Sequence, residues 1–190
     1  MDALKKRILR DGENLGRGIL KVDSFINHQV DPELMLEAGR ELGAHFADIG
    51  ATKVLTAEIS GIAPALTTAL TLGIPLLYAR KTKPVTMTEP VYVEAAPSHT
   101  KGMSVFLMAS PEFLTPEERI LIIDDFLASG QTIHALVRMV RHAGAELVGI
   151  GALIEKAFEG GRAELEPLGV PLHALAVISE MTDGRIVFAD

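Results

Sequence analysis

The chain has no cysteine and no tryptophan among its 190 residues. Without thiols there is no disulfide, no thiolate metal site and no cysteine nucleophile, a usage that fits a cytoplasmic setting. Aromatic residues are scarce, at 5%, so the core must be aliphatic. Positive charge is short as well: 18 Lys and Arg stand against 25 Asp and Glu, a net charge of −7. General nucleic-acid binding needs a basic face, so no nucleic-acid partner is expected. No apolar run approaches the roughly 20 residues of a membrane span, and Met1 to Asp11 is charged rather than signal-like. There is no G-x-x-x-x-G-K-[ST] loop, and Gly149-Ile150-Gly151 lacks the third glycine of a dinucleotide fingerprint. The six His residues show no metal-ligand spacing; His134 and His142 fall on one helix as surface or packing residues. What remains is 48% apolar sequence with no internal repeat or linker, the size of one domain with a full core. Residues 1–190 are expected to form that single domain.

Hydrophobic period and punctuation divide the chain into alternating strands and helices. Leu4, Ile8 and Leu9 mark a short amphipathic helix. Asp31-Pro32 opens a second, with Asp as cap and Pro preset for the first turn, and Leu34, Met35, Ala38, Leu42 and Phe46 as its apolar stripe. Strands are predicted at Lys53 to Ala57, Ile74 to Ala79, Met103 to Met108, Ile120 to Ile123 and Leu147 to Ile154. Helices are predicted from Ile62 to Leu72, closed by Gly73, from Gln131 to Ala143, closed by Gly144, and near Arg162 to Leu168. Short strands near Leu172 to Ile178 and Ile186 to Phe188 end the chain. Alternation of this kind means an α/β fold with a parallel sheet and right-handed crossovers. Ligands of such sheets sit at the carboxyl ends of the strands.

The most informative stretch is Ile120-Leu121-Ile122-Ile123-Asp124-Asp125-Phe126-Leu127-Ala128-Ser129-Gly130-Gln131-Thr132. It reads as a buried strand, two adjacent carboxylates, a small-residue loop and a helix start. Paired acids repel and are costly to bury without partners. Ala128, Ser129, Gly130, Gln131 and Thr132 can close their backbone N–H groups around an anion, with the helix N-terminus adding partial positive charge. Acids for sugar hydroxyls beside a phosphate cradle describe a ribose-5-phosphate site.

Other strand ends carry further candidates. Glu58-Ile59-Ser60-Gly61 is a second small-residue loop before a helix; an ordinary turn capped by Ser60 is the alternative. Arg80 and Lys81 end the next strand, and two cations at a buried sheet edge of an acidic protein suit a pyrophosphate. Residues 81–102 hold three prolines and weak strand signal at Val91 to Val93. Loops longer than about 12–15 residues are usually lids or disordered segments, with a plain surface hairpin as the competing reading. After Ile154, Lys156 could donate to a carbonyl oxygen while Phe158 stacks on a flat base; the alternative is a Lys–Glu surface pair with a tucked-in ring.

The thirteen-residue stretch resembles the 5-phosphoribosyl-1-pyrophosphate (PRPP) motif of type I phosphoribosyltransferases, matching at every position. With Leu20-Lys21-Val22-Asp23-Ser24-Phe25-Ile26-Asn27-His28-Gln29 and Glu58-Ile59-Ser60-Gly61-Ile62-Ala63-Pro64-Ala65, the chain from Leu4 to Val187 is most similar to the bacterial xanthine-specific branch of that family. Ile59, where a second small residue is common, and Thr132, where an Ala can occur, are mild departures. The resemblance implies a mostly parallel sheet flanked by helices, an N-terminal hood of about residues 1–31 over the base, and a flexible loop near 81–102 that closes over PRPP. It implies Asp124 and Asp125 as the catalytic pair, Ser60, Gly61, Arg80 and Lys81 at pyrophosphate, and Leu20, Asn27, Lys156 and Phe158 at xanthine. It further implies Mg²⁺ carried on PRPP with no direct protein ligand, a homodimer, and a non-proline cis peptide near Ile59-Ser60. Hypoxanthine-guanine or adenine transfer, and a non-catalytic PRPP-sensing regulator, are the alternatives; a regulator usually carries an added DNA-binding domain, for which there is no spare length.

Overall fold

The computed structural model describes residues 1–97, 104–182 and 184–189. Its centre is a six-stranded sheet of order β10-β9-β8-β7-β3-β4. The strands are β3 (Lys53–Ala57), β4 (Leu76–Ala79), β7 (Arg119–Leu127), β8 (Glu146–Lys156), β9 (Leu172–Glu180) and β10 (Val187–Phe188). All neighbours run parallel except β10, which is antiparallel to β9. The helices are α1 (Asp2–Asp11), α2 (Pro32–His45), α3 (Ile62–Leu72), α4 (Gln131–His142) and α5 (Gly161–Leu165). No described helix is long and apolar enough to cross a membrane.

Sequence explains most of these elements. β7 begins as an unbroken aliphatic run because both its faces are covered: Ile120, Leu121, Ile122 and Ile123 are all fully buried. One face packs with α1, α2 and α3, the other with α4. Asp31 caps α2, accepting from the Leu34 amide at 3.1 Å, and its other oxygen takes Arg7 of α1 at 2.6 Å. That ion pair ties α1 to the start of α2. The stripe Leu34, Met35, Ala38, Leu42 and Phe46 is buried throughout. Gly39 and Gly43 let α3 approach, since a Cβ on either would collide with Thr67 or Thr71.

Three details differ from the sequence reading. Leu9 is 59% exposed, so the buried side of α1 rests on Leu4 and Ile8 alone. β7 does not stop at Ile123 but continues through both acids to Leu127, held by parallel pairing of Asp124 with Ala152 and Leu127 with Glu155. The segment predicted as a sheet strand near Met103 to Met108 is β6 (Ser104–Ala109), and it pairs antiparallel with β5 (Tyr92–Pro97) outside the main sheet. Among the described residues no helix separates β6 from β4, and a parallel neighbour needs a long crossover, usually helical. The 81–102 segment therefore contains a strand at its centre. Ser98, His99, Thr100 and Lys101 lie outside the described residues.

The N-terminal segment is likewise ordered. β1 (Glu13–Asn14) and β2 (Leu20–Lys21) form a small antiparallel ribbon, followed by a π-helical turn, Asp23–Asn27, whose Phe25 and Ile26 are buried.

Candidate active site

The carboxyl ends of β3, β4, β7 and β8 converge on one edge of the sheet, and the sequence candidates collect there. In an extended strand successive side chains leave opposite faces, so the two acids of β7 diverge. Asp124 is 5% exposed and points toward Gly61 and Thr56: a Cβ on Gly61 would lie 2.7 Å from Asp124 Oδ1 and 2.2 Å from Thr56 Oγ1. Only glycine lets the Ser60–Gly61 turn close over this carboxylate. Asp125 faces the N-terminal segment, where the Asn27 amide reaches its Oδ2 at 3.5 Å. The Asp125 backbone N–H donates to Asp124 Oδ1 at 3.0 Å.

Burial dominates the electrostatics of the pair. It pushes the Asp124 carboxyl well above the usual carboxylate range, the neighbouring Asp125 charge adds to the rise, and Lys81 opposes it. Burial raises Asp125 too, against hydrogen bonds from Asp124 and the backbone and the charge of Lys81. Without ligand the pair is a site of stored electrostatic cost, a common mark of functional positions.

Ala128, Ser129, Gly130, Gln131 and Thr132 line a cleft of about 200 Å³ together with both acids. Gly130 sits in the left-handed region, φ 78°, and hands the chain directly to α4. The first amides of that twelve-residue helix are thereby aimed into the cleft. From behind, the loop is braced by Gly161, whose N–H donates to the Ala128 carbonyl at 3.0 Å.

A second cleft, of about 730 Å³, shares Ala128 with the first and is lined by Arg17, Gly18, Ile19, Lys156, Phe158 and Glu159. Lys156 Nζ donates to the Gly18 carbonyl at 2.6 Å, lies 3.3 Å from Glu159 Oε1, and stands 5.2 Å from the centre of the Phe126 ring. Phe158 is partly exposed at the wall. Leu20 is 7% exposed and belongs to the core beneath, while Gly18 and Ile19 present the N-terminal segment to the cleft.

The third strand-end loop carries a cis peptide at Glu58–Ile59, one bond earlier than the sequence reading placed it. Glu58 joins this loop to the end of β4: its Oε1 accepts from the Lys81 amide at 2.5 Å, and its Oε2 faces Arg80 Nε at 3.4 Å. Arg80 also exchanges backbone hydrogen bonds with Met108 at 2.8 Å, so the β5–β6 hairpin is docked beside the loop. Among the described residues no group of three or more His, Asp or Glu converges as a metal site.

Gly161, Arg17 and Ile19 were given no role by the sequence reading, and Glu58 was named only as the first residue of its loop. The Gly160-Gly161 pair was the available signal, since adjacent glycines mark close backbone approach. Glu58 gave none beyond its place at a strand end.

The phosphoribosyl transferase domain family matches residues 40–167. The chain belongs to this family. Curated relatives support a narrower grouping. A xanthine phosphoribosyltransferase of Deinococcus deserti is 51% identical over 184 residues, covering 97% of this chain and 95% of its own. One of Lactobacillus delbrueckii subsp. bulgaricus is 47% identical over 188 residues, covering 99% of this chain and 100% of its own. Among solved structures, an adenine phosphoribosyltransferase of Rhodothermus marinus superposes with a TM-score of 0.74 at 26% identity, over 94% of this chain and 100% of that one. The fold is thus the type I phosphoribosyltransferase fold, and the chain is a pentosyl-transferring enzyme.

Proposed function

We propose that the enzyme transfers the 5-phosphoribosyl group of PRPP to xanthine, giving xanthosine 5′-monophosphate and pyrophosphate. The observation that carries this is near-full-length identity of 47–51% to curated xanthine phosphoribosyltransferases. The adenine-transferring neighbour shares far less sequence.

The reaction breaks the C1′–O bond to pyrophosphate while a base nitrogen bonds to C1′, through an oxocarbenium-like ribose. In this proposal the amides of Ala128 to Thr132 and the Ser129 and Thr132 hydroxyls hold the 5′-phosphate. Asp124 and Asp125 orient the ribose hydroxyls and offset developing positive charge. Ser60, Gly61, Arg80 and Lys81 meet pyrophosphate. Lys156 donates to the 6-oxo group, Asn27 to the 2-oxo group, and Phe158 gives apolar contact, with Leu20 acting only as its backing. Phe158 and Lys156 line the cleft and Leu20 supports it from below. No step needs a covalent nucleophile, because positioning and fixed donors suffice.

Mg²⁺ is proposed to arrive on the phosphates of PRPP with no direct protein ligand; a hard cation bound largely through substrate phosphates fits a cleft where two acids stand beside the 128–132 loop. Carried on PRPP, the ion would neutralise leaving-group charge. Residues 1–31 serve as the hood over the base, residues 81–102 as the closing loop that keeps water from PRPP, and residues 1–190 act as one domain. Two copies associate; Leu66 and Leu70, a turn apart on the outer face of α3, are exposed apolar surface for such contact. The cytoplasm is the proposed location, in keeping with a sequence free of cysteine.

Release of both products from xanthine, PRPP and Mg²⁺ is the expected outcome, followed by chromatography of the nucleotide. Absence of product with every purine would leave only a PRPP-binding role.

A further inference from the structure

Glu155 is next to last in β8 and 1% exposed. A carboxylate at that depth requires partners for both oxygens. Arg162, in α5, supplies them as a fork: Nε donates to Oε1 at 2.8 Å and Nη2 to Oε2. A bidentate guanidinium fixes direction as well as distance. Its remaining nitrogen, Nη1, reaches the Leu172 carbonyl at 3.4 Å, at the start of β9.

The pair closes the loop that carries the base side of the cleft. Lys156, Phe158 and Glu159 all lie between its two members. On the helix side, Gly161 immediately precedes Arg162 and braces the phosphate loop. A Cβ there would stand 2.1 Å from the Ala128 carbonyl oxygen and 2.7 Å from the Gly130 nitrogen, so the two backbones are in direct contact. On the strand side, Glu155 pairs in register with Leu127, the residue that leads into Ala128. The ion pair thus connects β8, paired in register with the end of β7 that leads into the loop, to the helix behind the loop, with the Lys156–Phe158 turn strung between.

We propose that Glu155 and Arg162 form a positioning clamp that sets the distance between the phosphate loop and the Lys156–Phe158 turn. It touches neither substrate. It acts by keeping the 5′-phosphate site and the base site at the separation that one nucleotide spans. The inference rests on the transferase reading above.

The test uses two variants. Arg162→Lys keeps charge but offers a point contact instead of a fork. The double variant Glu155→Met with Arg162→Met removes both charges, and a buried pair replaced by apolar residues of similar size generally still folds. Misplacement by about 1 Å costs on the order of 100-fold in productive geometry. KM for PRPP and for xanthine should both rise by about 10-fold or more in each variant, while thermal denaturation shows a single transition as in the wild type. A pair that only stabilises the fold would lower the active fraction, and with it the maximal rate, at unchanged KM. KM values within about twofold of wild type in both folded variants would overturn the clamp, because displacement of either subsite must weaken binding. Wild-type turnover of xanthine, run alongside, separates this failure from failure of the transferase reading.

Discussion

At the residue scale, Asp124 carries an electrostatic cost that the proposed catalytic role would account for. Its folded pKa lies above its unfolded one, chiefly through burial. Below the unfolded carboxylate range both states hold the proton and the residue is neutral in both. As pH rises through that range the unfolded chain ionises while the folded one resists, so stability falls toward the raised folded pKa. Asp124→Asn is therefore expected to raise Tm at pH 7, with the gain fading near pH 3. Each kcal/mol relieved is worth about 2–4 °C at this chain length. Calorimetry across that pH range checks it, and a lower Tm at pH 7 would show that the carboxylate supports the fold. Asp124→Asn with Asp125→Asn should cut turnover by about 10²- to 10³-fold while the fold persists, as expected when charge aimed at a transition state is removed. Near-normal rates would move the ribose site elsewhere. Asn27 tests base choice: it is exposed, with its amide turned toward Asp125, and can donate to an oxygen at C2 of a purine. Asn27→Ala should lower kcat/KM for xanthine more than for hypoxanthine, which lacks that oxygen; equal losses would show that the residue only shapes the hood.

At the element scale, the 128–132 loop depends on two glycines, Gly130 within it and Gly161 behind it. Gly130 holds φ 78°, and a Cβ there would meet the Gly161 carbonyl at 3.4 Å and Leu165 at 3.6 Å. Gly130→Val adds a β-branched side chain to a left-handed residue and should abolish PRPP binding by titration calorimetry. Unchanged affinity would relocate the phosphate. Elements with strong local signals were legible: α3 runs from Ile62 to Leu72 with Gly73 left-handed at its end, and the aliphatic run of β7 and the Asp31 cap of α2 were equally plain. The β5–β6 hairpin was legible only as the competing reading of residues 81–102, and its pairing was not. Pairing direction depends on which edge the chain returns to, and β6 by itself reads like any apolar strand. The reach of β7 past Ile123 was hidden for a related reason: carboxylates are poor strand formers, and only pairing with β8 carries them.

At the scale of the whole molecule, the site is assembled from segments far apart in sequence. Asp124, Asp125 and the 128–132 loop could be found from one motif. Lys156 and Phe158 could be placed only at a strand end, and the Gly161 brace and the Glu155–Arg162 pair depend on tertiary contact that no local pattern encodes. The N-terminal segment contributes from the opposite end of the chain, with the Gly18 carbonyl on Lys156 and Asn27 beside Asp125. In the proposed reading, base selection follows from this assembly. A cationic donor at the 6-position accepts an oxo group and opposes an amine, while an amide near the 2-position favours oxygen and tolerates guanine when flipped. The most direct measurement is a competition assay with PRPP, Mg²⁺ and equal xanthine, guanine, hypoxanthine and adenine. Xanthosine 5′-monophosphate should dominate, with guanosine 5′-monophosphate a weak second and no adenosine 5′-monophosphate. Adenine turnover, or preference for hypoxanthine over xanthine, would contradict the assignment of Lys156 and Asn27 to the base.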